Sequence, residues 1–190
     1  MANLDLITPN LATGGDLRDE TPDAMRDLEE WQRLGITHVI DNRLEWDDSA
    51  FVAQWAPEIS YLHNGVDDHG ERMPDGWFNE GVAFAQEAFT DPNSRVLVHC
   101  HMGINRGPSL AYAVLLASEW DPIEALTAIR TARPIAGLLY AEDALDWHHR
   151  TQDTPRRQRI DEFRQLDEWR EQNWIDVVRI IRGIRAVEAS

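Results

Sequence analysis

The sequence predicts an α/β fold: a short, mostly parallel central sheet flanked by helices, with a helical extension at the C-terminal end. Three observations carry that expectation. Strand-like runs stand at Ile36–Ile40, Ile59–Val66 and Arg95–Val98, each of a length suited to a buried strand. Stretches with apolar residues at helical spacing separate and follow them, as the crossovers between parallel strands require. The run at Arg95–Val98 passes directly into a glycine-punctuated loop and then a helix, an order that places a binding site at a strand's C-terminal end.

The elements follow in chain order. Leu6 to Gly15 reads as a short strand and turn, with Pro9 confining it to a sheet edge. At Thr21-Pro22-Asp23 a helix begins, since Thr21 can cap, Pro22 suits the first helical position and acids crowd the first turns. Met25, Leu28, Trp31 and Leu34 continue it to Gly35, a helix-ending residue. Ile36–Ile40 is the next strand, and Asp41-Asn42-Arg43 lies at its end. Arg43 is close enough to the loop to reach a ligand, but pairing with Glu45 or Asp47 is the favoured expectation. Glu45 to Ala56 forms a polar helix or loop, Ile59–Val66 a strand, and Asp67 to Gly76 a loop by composition. Trp77 to Phe89 is helical, and Asp91-Pro92-Asn93-Ser94 breaks it before the strand at 95–98. Helices are expected from Pro108 to Ala117, from Asp121-Pro122 onward, and from Leu138 to His149. Beyond Thr151, Ile160, Phe163, Leu166, Trp174, Val177, Ile181 and Ile184 recur at helical intervals, so residues 151–190 read as an amphipathic extension of a domain at 1–150. Such an extension can pack back on the domain or serve self-association.

The chemistry gathers at Arg95–Ser109, RVLVHCHMGINRGPS. Cys100 is the only cysteine of the chain, and Arg106 follows it six positions later. A loop feeding a helix N-terminus directs backbone N–H groups and positive potential at one point, which suits a tetrahedral oxyanion. Arg106 adds a planar fork that can pair two phosphate oxygens. Fields of this kind favour thiolate over thiol, the nucleophilic form of a cysteine.

The run His-Cys-x-x-Gly-x-x-Arg resembles the signature of cysteine-dependent protein phosphatases, and the surrounding chain is similar to their dual-specificity branch from about residue 4 to 149. The resemblance implies a phosphatase-like fold and metal-independent hydrolysis of a phosphomonoester, on protein or on a small molecule, through a phosphocysteine. Cys100 is then the nucleophile and Arg106 the phosphate ligand. His101, Met102, Gly103, Ile104 and Asn105 form the phosphate loop, supported by His99 through hydrogen bonds and by Ser109. The family carries a general acid about thirty residues upstream; Asp68 stands 32 positions before Cys100 and is the first choice, with Asp67 and Asp75 as alternatives. One position departs from the family pattern. Where a serine or threonine usually follows the arginine and helps expel the thiolate, this chain has Gly107, which puts the second step in question. A catalytically weak phosphate-binding module and another Cys-x5-Arg enzyme, such as an arsenate reductase, are the competing readings. The mid-chain loop and the lack of a second cysteine count against the latter.

Composition narrows the partners. The net charge is −16; residues 1–150 carry 26 acidic residues against 10 arginines, whereas the last forty carry eight of each. That charge repels nucleic acid and anionic membranes. The N-terminal residues lack the basic and apolar regions of a signal peptide, no stretch approaches the roughly 18 apolar residues of a membrane span, and a single cysteine suits a reducing cytoplasm. The histidines 63, 69, 99, 101, 148 and 149 show no spacing of a metal site, so neither metal nor cofactor is expected.

Overall fold

The computed structural model describes residues 3–18 and 21–188. The chain opens with a hairpin, β1 (Leu4–Thr8) and β2 (Leu11–Gly14), whose turn is held by Thr8 Oγ1 accepting from Leu11 N at 3.1 Å. β3 (His38–Arg43), β4 (Ser60–Val66) and β5 (Val96–His99) complete a sheet of order β1-β2-β5-β3-β4. Only the β1–β2 pair is antiparallel. β5 is central, and its end is the end of the sheet toward which the site is built.

Alternation along the strands divides the core. Leu97 and Val39 join Leu28, Trp31 and Ile36 on the face covered by α1 (Thr21–Arg33) and α2 (Ser49–Trp55). Val96, Val98 and Ile40 face the larger layer of α3 (Asp75–Ala88), α4 (Arg106–Ala117), α5 (Pro122–Ala132) and α6 (Ala141–Thr151). α4 sits in the middle of that layer and is buried from Arg106 through Leu116, as expected of a helix apolar on every side. α5 starts where the sequence places it: Asp121 accepts from the N–H groups of Ile123 and Glu124, with Pro122 at the first position.

Two elements differ from expectation for local reasons. β3 continues through Asp41-Asn42-Arg43, because parallel pairing with β4 and β5 carries it on. The helix expected from Leu138 begins only at Ala141, because Leu138 adopts a left-handed φ of 55°.

The C-terminal segment forms α7 (Arg156–Gln172) and α8 (Val177–Glu188). α7 packs back on the domain: Leu166 and Trp169 enter the same core as α4, Trp169 Nε1 donates to Thr127 Oγ1 at 3.1 Å, and Arg130 lies over the Trp169 ring. Among the described residues, α8 puts no side chain into the buried core. Among the described residues, no helix is long and apolar enough to cross a membrane.

Candidate active site

Cys100 follows the last residue of β5, and Arg106 opens α4. The six residues from Cys100 to Asn105 therefore bridge a central strand and the N-terminus of the most buried helix. Neighbouring segments hold the loop by its carbonyl groups. Asp16 N donates to His101 O at 3.0 Å, Arg133 to Met102 O at 2.8 Å and Gly103 O at 2.5 Å, and Gly137 N to Ile104 O at 2.6 Å. With those oxygens occupied, the N–H groups of Met102 through Arg106 donate to no acceptor among the described residues. Two glycines make the curve possible. Gly103 has a φ of 63°, and a Cβ on it would stand 2.4 Å from the Gly14 carbonyl carbon. At Gly107 a Cβ would meet Val98 O at 2.9 Å and Cys100 N at 3.2 Å, so a larger residue there would need a shift of the β5 end relative to α4.

Arg106 is oriented by acceptors on two strand ends. Its Nη1 and Nη2 donate to the two Glu45 carboxylate oxygens, each at 2.7 Å, and Nη1 also donates to Val66 O at 3.0 Å. The Nε atom is buried without a hydrogen-bond acceptor, 3.5 Å from Asp68 Oδ2. The hydrogen bonds from Arg106 hold the Glu45 carboxyl at a pKa of about 2.

Of the three candidate acids, Asp68 alone lines the cavity of about 350 Å³ that contains Cys100 and Arg106. Its Oδ1 accepts from Asn105 Nδ2 at 2.6 Å and from the Tyr140 hydroxyl at 2.7 Å. Burial, and then the Asp68 carboxylate, push the Tyr140 phenol up to about 12, so it remains a donor. Asp67 faces His69 at 2.8 Å, and Asp75 is paired with Arg150 on α6. Asn105 Oδ1 in turn accepts from Leu139 N at 2.8 Å, which makes Asp68, Asn105 and Tyr140 one continuous network.

The supporting residues depart from expectation. His99 is fully buried beside Trp31, its ring nitrogens make no hydrogen bond, and its nearest charge is Asp41 at 3.8 Å. Burial holds its pKa below the ordinary histidine range, so the ring is neutral and acts by packing. Ser109 Oγ is occupied by Asn105 Oδ1 at 3.5 Å and Tyr140 N at 3.4 Å. Its place is in the Asp68 network. Arg43 pairs with neither Glu45 nor Asp47. It is buried and bound to Asp41, Asp48 and Asp16, the last of which also holds His101 at 2.7 Å. Strand extension explains the change: with β3 continuing to residue 43, Arg43 is drawn under the loop and Glu45 is left to meet Arg106. Glu45 and Tyr140 were not among the residues expected at the site, and both reach it only through contacts remote in sequence.

Residues 20–138 match the family model for the dual specificity phosphatase catalytic domain. The chain belongs to the dual-specificity phosphatase family. It is similar to mouse dual specificity protein phosphatase 13B, with 29% identity over 153 residues that cover 77% of this chain and 74% of that protein. Mouse dual specificity protein phosphatase 26 is 32% identical over 133 residues, covering 65% and 61%. Among solved structures, human DUSP28 matches at a TM-score of 0.62 and 18% identity, over 80% of this chain and 97% of that one. Tk-PTP in its active form matches at 0.62 and 19%, over 80% and 98%. Those two likenesses concern the fold. The protein is thus a cysteine-dependent protein phosphatase of the dual-specificity type, and the competing readings of its Cys-x5-Arg loop are not favoured. The family match ends at residue 138, before α6, α7 and α8.

Proposed function

We propose that this phosphatase hydrolyses phosphorylated protein side chains through a phosphocysteine on Cys100, without metal, in a reducing cytoplasm. The observation that supports it most is the convergence on one cavity of Cys100, Asp68, an Arg106 whose Nε has no hydrogen-bond acceptor, and the free N–H groups of residues 102–106. The Cys100 thiolate attacks phosphorus in line. Arg106 and the N–H groups of residues 101–106 hold the three non-bridging oxygens and stabilise the charge that grows on them. Asp68 gives its proton to the departing oxygen, and as carboxylate it then takes a proton from the water that releases phosphate. Hydrolysis of a phosphopeptide is expected to proceed unchanged in excess EDTA; loss of turnover on chelation would overturn the metal-free mechanism.

Gly107 makes the second step distinctive. Gly107 brings no hydroxyl, and the Ser109 hydroxyl is turned to Asn105 Oδ1 and Tyr140 N. Nothing at either position donates to the departing thiolate. Rapid mixing with an aryl phosphate is therefore expected to give a burst of about one phenol per enzyme and then a slower steady state. A progress curve with no burst would place the slow step before the phosphocysteine. Restoring the hydroxyl by Gly107→Ser is expected to destabilise by about 1–3 kcal/mol, because the new Cβ collides with backbone.

Glu45 is proposed as a positioning residue for the Arg106 guanidinium. Glu45→Gln keeps the size but loses the charge-assisted pairing, and is expected to lower kcat about tenfold with a smaller change in KM. Stability follows the same contact. The folded-state pKa is depressed, so the contribution is full above about pH 4.5 and is lost as pH falls toward 2. Glu45 is about half exposed, which keeps the effect small. The melting-temperature difference between wild type and Glu45→Gln is expected to be a few degrees at pH 6 and to vanish toward pH 2.

A further inference from the structure

Helix α8 follows α7 across the joint at residues 173–176 and comes to lie beside the catalytic cavity. Val177, Ile181 and Arg185 line the same space as Cys100, Arg106 and Asp68. They stand four residues apart and so form a single stripe on the helix. The described side chains of α8 make no hydrogen bond or ion pair with the rest of the described residues; the helix rests on apolar contact, including Val177 against Gly137. With α8 in place the cavity still measures about 350 Å³, within the range of small-ligand pockets. The helix therefore walls the site and does not fill it.

The wall has two chemistries. Val177 and Ile181 share the cavity with Met102, Ile104 and Leu139, which makes an apolar zone around the polar phosphate loop. Arg185 adds a second guanidinium to a cavity that Arg106 shares with the carboxyl groups of Glu45 and Asp68. Neither Arg185 nor its neighbours Arg179 and Arg182 have an acidic partner among the described residues, although the chain carries a net charge of −16. A cation lining a phosphate site in so acidic a protein favours an anionic group of the substrate.

We propose that α8 is the substrate-selecting wall of this pocket: Val177 and Ile181 hold the ring of a phosphotyrosine, and Arg185 pairs with a carboxylate flanking it. The proposal rests on the phosphatase mechanism assigned to Cys100 and deepens it. With the phosphate seated in the loop, a tyrosine ring spans the apolar zone and covers Val177 and Ile181. A phosphothreonine side chain is too short to do so, and it would draw the polar peptide backbone down into that zone.

The test compares kcat/KM on peptides of one sequence bearing phosphotyrosine or phosphothreonine, with acidic or neutral flanks. Wild type is expected to favour phosphotyrosine. Ile181→Ala should reduce the phosphotyrosine-to-phosphothreonine ratio about tenfold. Arg185→Ala should reduce the acidic-to-neutral ratio about threefold, a difference that added salt removes. Unchanged melting temperatures would show that both variants remain folded. If hydrolysis depends on Cys100 but both ratios hold within the error, the role of α8 falls and the mechanism stands. A uniform gain on every peptide would mark α8 as a plug and also overturn the proposal. Hydrolysis that survives Cys100→Ser would remove the mechanism and the proposal together.

Discussion

Cys100→Ser is expected to reduce phosphopeptide hydrolysis by at least about 10³-fold while leaving phosphopeptide binding within a few-fold of wild type. The two halves of that result have separate causes. Binding is the work of Arg106 and the loop N–H groups, none of which depends on the side chain at 100. Turnover needs an anionic nucleophile, and an aliphatic hydroxyl stays protonated in a field that can ionise a thiol. Stability should change little, because the substitution is nearly isosteric at a position 3% exposed. Single-turnover kinetics and calorimetric titration with the same phosphotyrosine peptide measure both halves. A variant with wild-type turnover would exclude covalent catalysis at this position, and one that has lost binding would show that the thiolate organises the loop as well as attacking.

The sheet and the loop were legible because their signals are local. Val96-Leu97-Val98 is apolar on both faces of a strand, as a central position demands, and the interval from Cys100 to Arg106 is set by covalent spacing. The place of Asp68 beside Cys100 was legible because a family distance could be counted along the chain. Glu45 was not, since its meeting with Arg106 joins residues 61 apart and depends on how far β3 continues. The three acids around Arg43 were hidden for the same reason: burial pushes the Asp41 carboxyl up, and the hydrogen bonds and nearby positive charge, Arg43 foremost, bring it below the ordinary range. That pairing is decided by tertiary placement. The periodicity of 177–184 announced an amphipathic helix but could not say which surface it would meet. Its position against the catalytic cavity follows from the packing of α7, through Leu166 and Trp169, onto the main core.

Asp68→Asn should lower kcat about 10²–10⁴-fold for alkyl and peptide phosphates, the usual worth of a positioned general acid. The loss should shrink for an aryl phosphate whose leaving group needs little protonation. Asparagine retains an oxygen that can accept from Asn105 and Tyr140, so the network that fixes the loop can persist while the proton is gone. Tyr140→Phe provides the converse: the hydrogen bonds to Asp68 and from Gly70 N lost, the carboxyl kept, and only a modest fall in rate independent of the leaving group. A purely structural role for Asp68 would make the two variants alike, with no dependence on leaving-group acidity. Asp67→Asn should be close to wild type, because that carboxylate faces His69 and solvent. If Asp67→Asn instead carried the large, leaving-group-dependent loss, the acid would lie one residue earlier and the Asp68 network would serve only to hold its loop.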